Sequence, residues 1–462
     1  MKNLWILTEE RPKREVIVQI LSKFATDNKI ACFIDTIRIL PILEDGNFSF
    51  LYEVAGFRCN QIGKVLIKSI SGPSSFVDFL IFYQENQPTQ TDIPIYAIEE
   101  TKTEDKESRN TGVYQRASKF VYIDYYFPDV KKIMLYNLKI RQKEQATSTY
   151  IFGTKLLLTL GIEILGKKLD EKIFNPFDSV DEIIDFKGQM RKAPKGNVPI
   201  TIRKIDNTIM ISGRLFKSES LSHDPNIGAL SLIAAAIRKV GWTKDIVITK
   251  HGLQQSHPKE ENKFIKITNE LNLKINGLEV PKTSMKENYW YYETEGEKLG
   301  TIFIHLVVDN FTKGYSIFEN HAGCEKGYFF TKQGEPIPLG KYSDREAYKA
   351  GDKEKNISIP DLILIDFDRT KIINIEGKKY QTRQDGIKKL AYFDDIEKLY
   401  IKKYYPEFKI VRTVVLYGSD EDKIVEIKVG FLLNKKGQLI LGIKAPELFK
   451  EAIANLKDFW DR

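Results

Sequence analysis

"SIPDLILIDFDRTKIINIEGKKY", Ser358–Tyr380, sets two apolar, β-rich runs on either side of a short polar turn. Each run places charge where apolar side chains would pack better. The first opens on Asp361 and the second closes on Glu376 and Lys378. Residues two apart in a strand share a face. Glu376 and Lys378 therefore project together with Asn374, while Ile373, Ile375 and Gly377 face the other way. If the two runs pair, the Asp361 carboxylate converges on the same spot.

Two carboxylates at one point are hard oxygen ligands suited to Mg²⁺, an ion that keeps several waters and takes phosphate oxygens. Such an ion makes a water acidic and neutralises charge at phosphorus. An adjacent ammonium, here Lys378, positions or activates that water or stabilises the pentacovalent phosphate. Glu-x-Lys alone says little, because seven copies occur, beginning at Glu100, Glu104, Glu261, Glu376, Glu407, Glu421 and Glu426. Only two follow an apolar strand bearing an acid: Asp361 with Glu376 and Lys378, and Asp78 in "SSFVDFLIF" with Glu100 and Lys102 in "YAIEETK". Asp78, between Val77 and Phe79, is expensive to bury without a partner or metal. Glu99 points away from Glu100 and is an accessory group at most. The competing reading makes each trio a salt bridge across neighbouring strands, which at a surface contributes little.

Outward from these trios the pattern is α/β. "FVDFLIFY" and "IPIYAIEE" read as strands, "VYQRASKFVYIDYYF" as a helix, and "VKKIMLYNL" as a further strand. Towards the other end, "TIFIHLVVD", "PDLILID" and "KIINIEGKK" read as strands leading into a helix near Gln384, then "IVRTVVLYG" and "KIVEIKVGFLL". Between them, Asp224 or Asn226 caps a helix whose apolar face is Ile227, Leu230, Ile233 and Ala234, followed by the strand "DIVITKHGL". The Gly-, Pro- and Lys-rich stretch 186–201 and the loop-rich stretch 277–300 divide the chain into 1–195, 196–285 and 286–462, the middle part being α+β and a place for DNA recognition. A chain of 462 residues has room for two or three cores.

Hydrophobic residues at 42% predict a packed protein, and a net charge of +8 suits an anionic partner. Cys32, Cys59 and Cys324 lie far apart without a C-x-x-C pair, which argues against a disulfide scaffold or zinc ribbon and for a reducing compartment. The apolar start is broken by Glu9, Glu10 and Arg11, and no run of 18 apolar residues follows. A cytoplasmic protein with no membrane partner is expected. No phosphate-cradling G-x-x-x-x-G-K-[ST] loop is present, so no nucleotide cofactor is expected. His223, His251, His257, His305 and His321 lack ligand-like spacing. Glu319, His321 and Glu325 in "FENHAGCEKGYF" are candidate extra ligands ahead of the second trio.

The pattern Pro360–Asp361, then "EGK" at Glu376–Lys378 after an apolar strand, resembles the PD-(D/E)XK nuclease superfamily. Asp78 followed by "ETK" at Glu100–Lys102 resembles the same motif, with Val77 in place of the proline. The resemblance implies two restriction-endonuclease-like α/β cores, each a mixed sheet flanked by helices. It implies metal ligands at Asp361, Glu376, Asp78 and Glu100, with Lys378 and Lys102 completing the catalytic groups. The length and the absence of helicase motifs are most similar to type II restriction endonucleases with two nuclease domains. The implied activity is Mg²⁺-dependent, sequence-specific hydrolysis of double-stranded DNA, one strand per centre, by a monomer or a large subunit with a small partner. The alternatives are a structure-specific repair or recombination nuclease and a non-catalytic DNA-binding protein.

Overall fold

The computed structural model describes residues 1–44, 47–72, 76–101, 112–136, 148–190, 200–212, 225–249, 254–283, 287–294, 296–321, 328–339, 357–419, 429–434, 436–437, 439–440 and 445–461. They fall into two compact units. Unit 1 comprises Met1–Ser71, Gln84–Gln87 and Tyr292–Arg462, and unit 2 comprises Gly72–Tyr83 and Pro88–Tyr291. Residues 196–285, set apart in the sequence as a middle region, lie inside unit 2.

Unit 1 begins with β1 (Asn3–Thr8), α1 (Arg14–Asp27), β2 (Cys32–Glu44), β3 (Asn47–Cys59) and β4 (Val65–Ser71). The β2–β3 and β3–β4 pairs are antiparallel, and β4 runs parallel to β1. Unit 2 holds β5 (Phe79–Gln84), β6 (Tyr96–Thr101), α2 (Gly112–Asp124), β7 (Lys131–Tyr136), α3 (Ser148–Thr159) and β8 (Glu163–Leu165). Here β5 pairs antiparallel with β6, while β6, β7 and β8 are parallel neighbours. It continues through α4 (Val180–Gln189), β9 (Thr201–Ile205), β10 (Thr208–Ser212), α5 (Pro225–Lys239), β11 (Asp245–Ile248), α6 (Lys263–Glu270) and β12 (Lys274–Ile275), whose strands form a small sheet ordered β12-β11-β10-β9. Every residue of the apolar helix α5 from Leu230 to Ile237 is buried, and the helix packs on α2 and α3.

The two-residue strand β13 (Tyr291–Tyr292) marks where the chain passes back to unit 1. There α7 (Glu297–Phe311) precedes β14 (Tyr315–Glu319), β15 (Tyr328–Phe330), β16 (Pro336–Pro338), β17 (Leu362–Asp366), β18 (Lys371–Lys379), β19 (Lys409–Ser419), β20 (Val429–Asn434) and β21 (Leu439–Ile440). Six of these strands form a mixed sheet in the order β14-β17-β18-β19-β20-β21. Its β17–β18 pair is the antiparallel hairpin read from Ser358–Tyr380, and β18, β19 and β20 are parallel. Helices cover both faces of β18. On one side Ile363, Ile365 and Ile372 pack against Phe393, Ile396, Ile401 and Tyr405 of the helical stretch that starts at Arg383–Leu390; on the other lies α7.

One element departs from expectation. "TIFIHLVVD" is the heart of helix α7, not a strand. Leu299 through Val308 are all buried, Thr301 and His305 among them, and α7 also touches β2 within unit 1, so no exposed face marks a helical period. A segment hydrophobic all round has no helical period to read. Its β-branched residues each carry a helix penalty of roughly 0.7 kcal/mol at most. Burial of an Ile, Leu or Phe side chain contributes about 1.5–3 kcal/mol, so packing decides. Among the described residues, the structure has α/β architecture with mixed sheets flanked by helices, and no helix is long and apolar enough to cross a membrane.

Candidate functional site

The β17–β18 register pairs Leu362 with Ile375, so one step further Asp361 stands opposite Glu376. The Asp361 N–H donates to the Ile375 carbonyl at 2.9 Å, and its Oδ2 accepts the Gly377 N–H at 2.8 Å. Glu376 is wholly buried. Its Oε1 takes the ammonium groups of Lys378 at 3.0 Å and Lys389 at 2.7 Å. Its Oε2, also buried, has no hydrogen-bond partner among the described residues. Lys378 bridges onward to Glu297 in the first turn of α7, at 3.0 Å. Asp361, Glu376 and Lys378 are thus brought together, with Lys389 and Glu297 added from two helices.

Gly377, the middle residue of the Glu-Gly-Lys run, explains how α7 comes so close. A Cβ there would lie 2.7 Å from Thr301 Cγ2 and 3.0 Å from the Glu297 carbonyl. On the opposite face Asn374 donates to Glu397 at 2.7 Å, and Arg412 grips both Glu397 oxygens, at 2.7 and 2.8 Å. That network fixes the β18 face from which Glu376 projects.

Electrostatics follow from the crowding. Burial first, and then the Glu376 charge, raises the Asp361 carboxyl to about 7 against the pull of Lys389, the Gly377 N–H and Lys378. Burial pulls Lys378 down, but Glu376 and Glu297 outweigh it and leave the ammonium above its ordinary value. The donor set of two carboxylates, one with a buried oxygen lacking a hydrogen bond, fits a hard divalent cation such as Mg²⁺.

The first trio is arranged otherwise. Asp78 Oδ2 accepts the Glu100 N–H at 2.8 Å, and the Asp78 N–H donates to Glu99 at 3.2 Å. Lys119 of α2 reaches Asp78 Oδ1 at 3.3 Å and the Glu99 carboxylate at 2.9 Å. The acid that converges on Asp78 is therefore Glu99, while Glu100 contributes its backbone and, by strand alternation, turns its side chain to the other face. Lys102 lies outside the described residues. Behind Lys119, buried Lys263 donates to Ser118 Oγ at 3.2 Å. Burial and the neighbouring Lys119 charge pull it down to about 7 against Glu99.

A third cluster joins residues that sequence spacing kept apart. His305 Nδ1 and His321 Nε2 are 2.9 Å from each other, with Glu319 Oε2 3.7 Å from His305. Thr301 donates to the Lys298 carbonyl, so its oxygen accepts the His321 Nδ1–H at 3.0 Å, and His305 Nδ1–H then points at His321 Nε2. Glu319 is held by Arg11 at 2.8 Å, with Lys13 at 3.9 Å. The imidazole chain is satisfied and the carboxylate already neutralised, so these three residues have a structural explanation without a cation. Glu325 lies outside the described residues.

No protein-family model, curated protein or solved structure matches this chain.

Proposed function

We propose that the protein is a Mg²⁺-dependent endonuclease acting on double-stranded DNA, and in its specific form a type II restriction enzyme. Glu376 carries the reading: it lies across the ladder from Asp361, buried, with two lysines on one oxygen and, among the described residues, no hydrogen bond on the other. Leaving a buried carboxylate oxygen unsatisfied costs about 1–3 kcal/mol or more. A cation shared with Asp361 removes that penalty. When bound, such an ion supplies Lewis acidity to a phosphodiester and acidity to an attacking water.

The chain's own groups do the rest. Asp361 and Glu376 form the anionic cradle, and Lys389 holds Glu376 in its orientation, as supporting hydrogen bonds do around metal ligands generally. Lys378, tethered to Glu297, presents an ammonium that orients the water and offsets charge growing on the phosphate. Exposed Lys379, Lys388, Lys398, Lys402 and Lys403 surround the β18 end and its helical cover, matching a phosphate backbone. Two unlike acidic centres in one chain suit an asymmetric duplex target, each centre cutting one strand, in a monomer or with a small partner subunit.

The test is supercoiled plasmid with Mg²⁺. Wild type is expected to yield discrete linear fragments, Glu376→Ala only nicked circles, and chelation no cleavage. A wild type that leaves plasmid intact, or smears it without preferred ends, would sink the proposal.

A further inference from the structure

We infer that the centre in unit 2 is built on Asp78, Glu99 and Lys119, and that Glu100 and Lys102 take no part in it. The inference rests on the nuclease reading but concerns which residues serve it. Three observations carry it. The β5–β6 register pairs Phe79 with Ile98, which one step further sets Asp78 opposite Glu99, just as Asp361 stands opposite Glu376. In both units the aspartate's Oδ2 accepts, at 2.8 Å, the N–H of the residue after that glutamate, Glu100 in one and Gly377 in the other. In both, the glutamate strand is followed by a helix and then a parallel neighbour strand, β7 or β19, and both glutamates are wholly buried.

Carrying the correspondence on by two residues reaches Lys378 in unit 1 but buried Thr101 in unit 2, a hydroxyl in place of an ammonium. The amine comes instead from the following helix, where Lys119 contacts both Asp78 and Glu99. Lys389 approaches Glu376 from the corresponding helix. Unit 1 thus draws amines from strand and helix together, and unit 2, among the described residues, from the helix. A one-residue slip in a strand reverses every side chain, so Glu99 and Glu100 cannot share the role.

The full chain is titrated with Mn²⁺ by calorimetry and assayed on plasmid in the Glu376→Ala background, where only the unit 2 centre can nick. Wild type is expected to bind two ions and Glu99→Gln or Asp78→Asn one, while Glu100→Gln and Lys102→Ala keep both. Added to Glu376→Ala, Lys119→Gln or Glu99→Gln should lower residual nicking at least about 100-fold, on the scale of a lost general acid–base group; Lys102→Ala should not. Thermal melting of each variant, with Lys119→Arg as the milder change, separates unfolding from loss of function. Loss of the second ion or of nicking in Glu100→Gln or Lys102→Ala, with Glu99→Gln unaffected, overturns the assignment, as does Glu376→Ala cutting nothing. Two ions with the expected residue dependence but no DNA cleavage by wild type refutes the nuclease reading alone.

A different observation carries a second inference. Cys32 opens β2, Cys59 closes β3, and the hairpin register sets them directly opposite. We propose that they are a reversible disulfide site. Opposed residues of an antiparallel pair have Cα atoms about 4.5–5.5 Å apart, within the span a disulfide requires. Both thiols are partly exposed, and they are hydrogen-bond neighbours. With oxidised glutathione as oxidant, one cysteine thiolate attacks its disulfide and releases one glutathione thiol. The second cysteine then displaces the other, so two cysteine thiols are oxidised and two glutathione thiols formed. Mass spectrometry after that treatment should show loss of two hydrogens and a Cys32–Cys59 cross-linked peptide, whereas Cys59→Ser retains one glutathione. Wild type that stays fully reduced, carries two glutathiones, or pairs through Cys324 refutes the proposal.

Discussion

Asp361 shows how much one side chain can report about its surroundings. Its carboxyl sits at about 7 in the metal-free protein, so between the ordinary carboxylate range and that value the folded chain holds a proton the unfolded chain has lost. Stability therefore falls as pH rises through this window and levels off above it. A divalent cation takes only the ionised carboxylates and reverses the trend. The non-catalytic ion Ca²⁺ should raise the melting temperature more at one pH unit above that value than at one unit below, and Asp361→Asn should abolish the difference. An equal shift at both would refute the coupled-carboxylate picture. Asp361, Glu376 and Lys378 were legible because a two-residue period on an apolar strand leaves few options. Glu99 was not, because adjacent acids at 99 and 100 fit either register and only pairing with β5 decides. Glu297 and the His305–His321 pair come from elements whose approach no local pattern encodes.

At the scale of elements, the hairpin and its flanking strands were readable, and α7 was not. Its largely apolar run reports burial on every side, which a strand buried on both faces would share. The contact between α7 and β18 depends on Gly377, and it can be tested. Gly377→Ala drives a methyl toward Thr301 and the Glu297 carbonyl, so α7 must move or β18 bend. We expect a loss of about 1–3 kcal/mol in urea unfolding, the usual range for overpacking. Cleavage should fall further than stability explains, because Glu297 and Lys378 move apart. If Gly377→Ala melts and cuts like wild type, the close approach of α7 has no functional weight.

For the whole molecule, the charge surplus of +8 could be diffuse or directed. Acids interleave with the lysines between Arg383 and Tyr404, which in sequence alone reads as an ordinary solvated face. The fold sorts them. Asp394 and Glu397 turn onto Arg412, which holds Asp394 well below the usual carboxylate range, whereas Lys388, Lys398, Lys402 and Lys403 remain exposed. With Asp394 and Glu397 engaged by Arg412, the exposed lysines outnumber the other exposed acids of the stretch, Asp385 and Asp395, and leave a net cationic surface beside Glu376. If DNA lies there, affinity must track counterion release, with log K falling by about 0.9 per log unit of salt for each phosphate neutralised. Four or five such lysines give a slope of roughly −3.6 to −4.5. Fluorescence anisotropy with a labelled duplex under chelation, where neither centre is expected to cut, measures it. Changing Lys402 and Lys403 together to Gln should flatten the slope by about 2 while leaving the melting temperature unchanged. A slope that does not respond would place the phosphate contacts elsewhere on the protein and detach the basic helical face from the site beneath it.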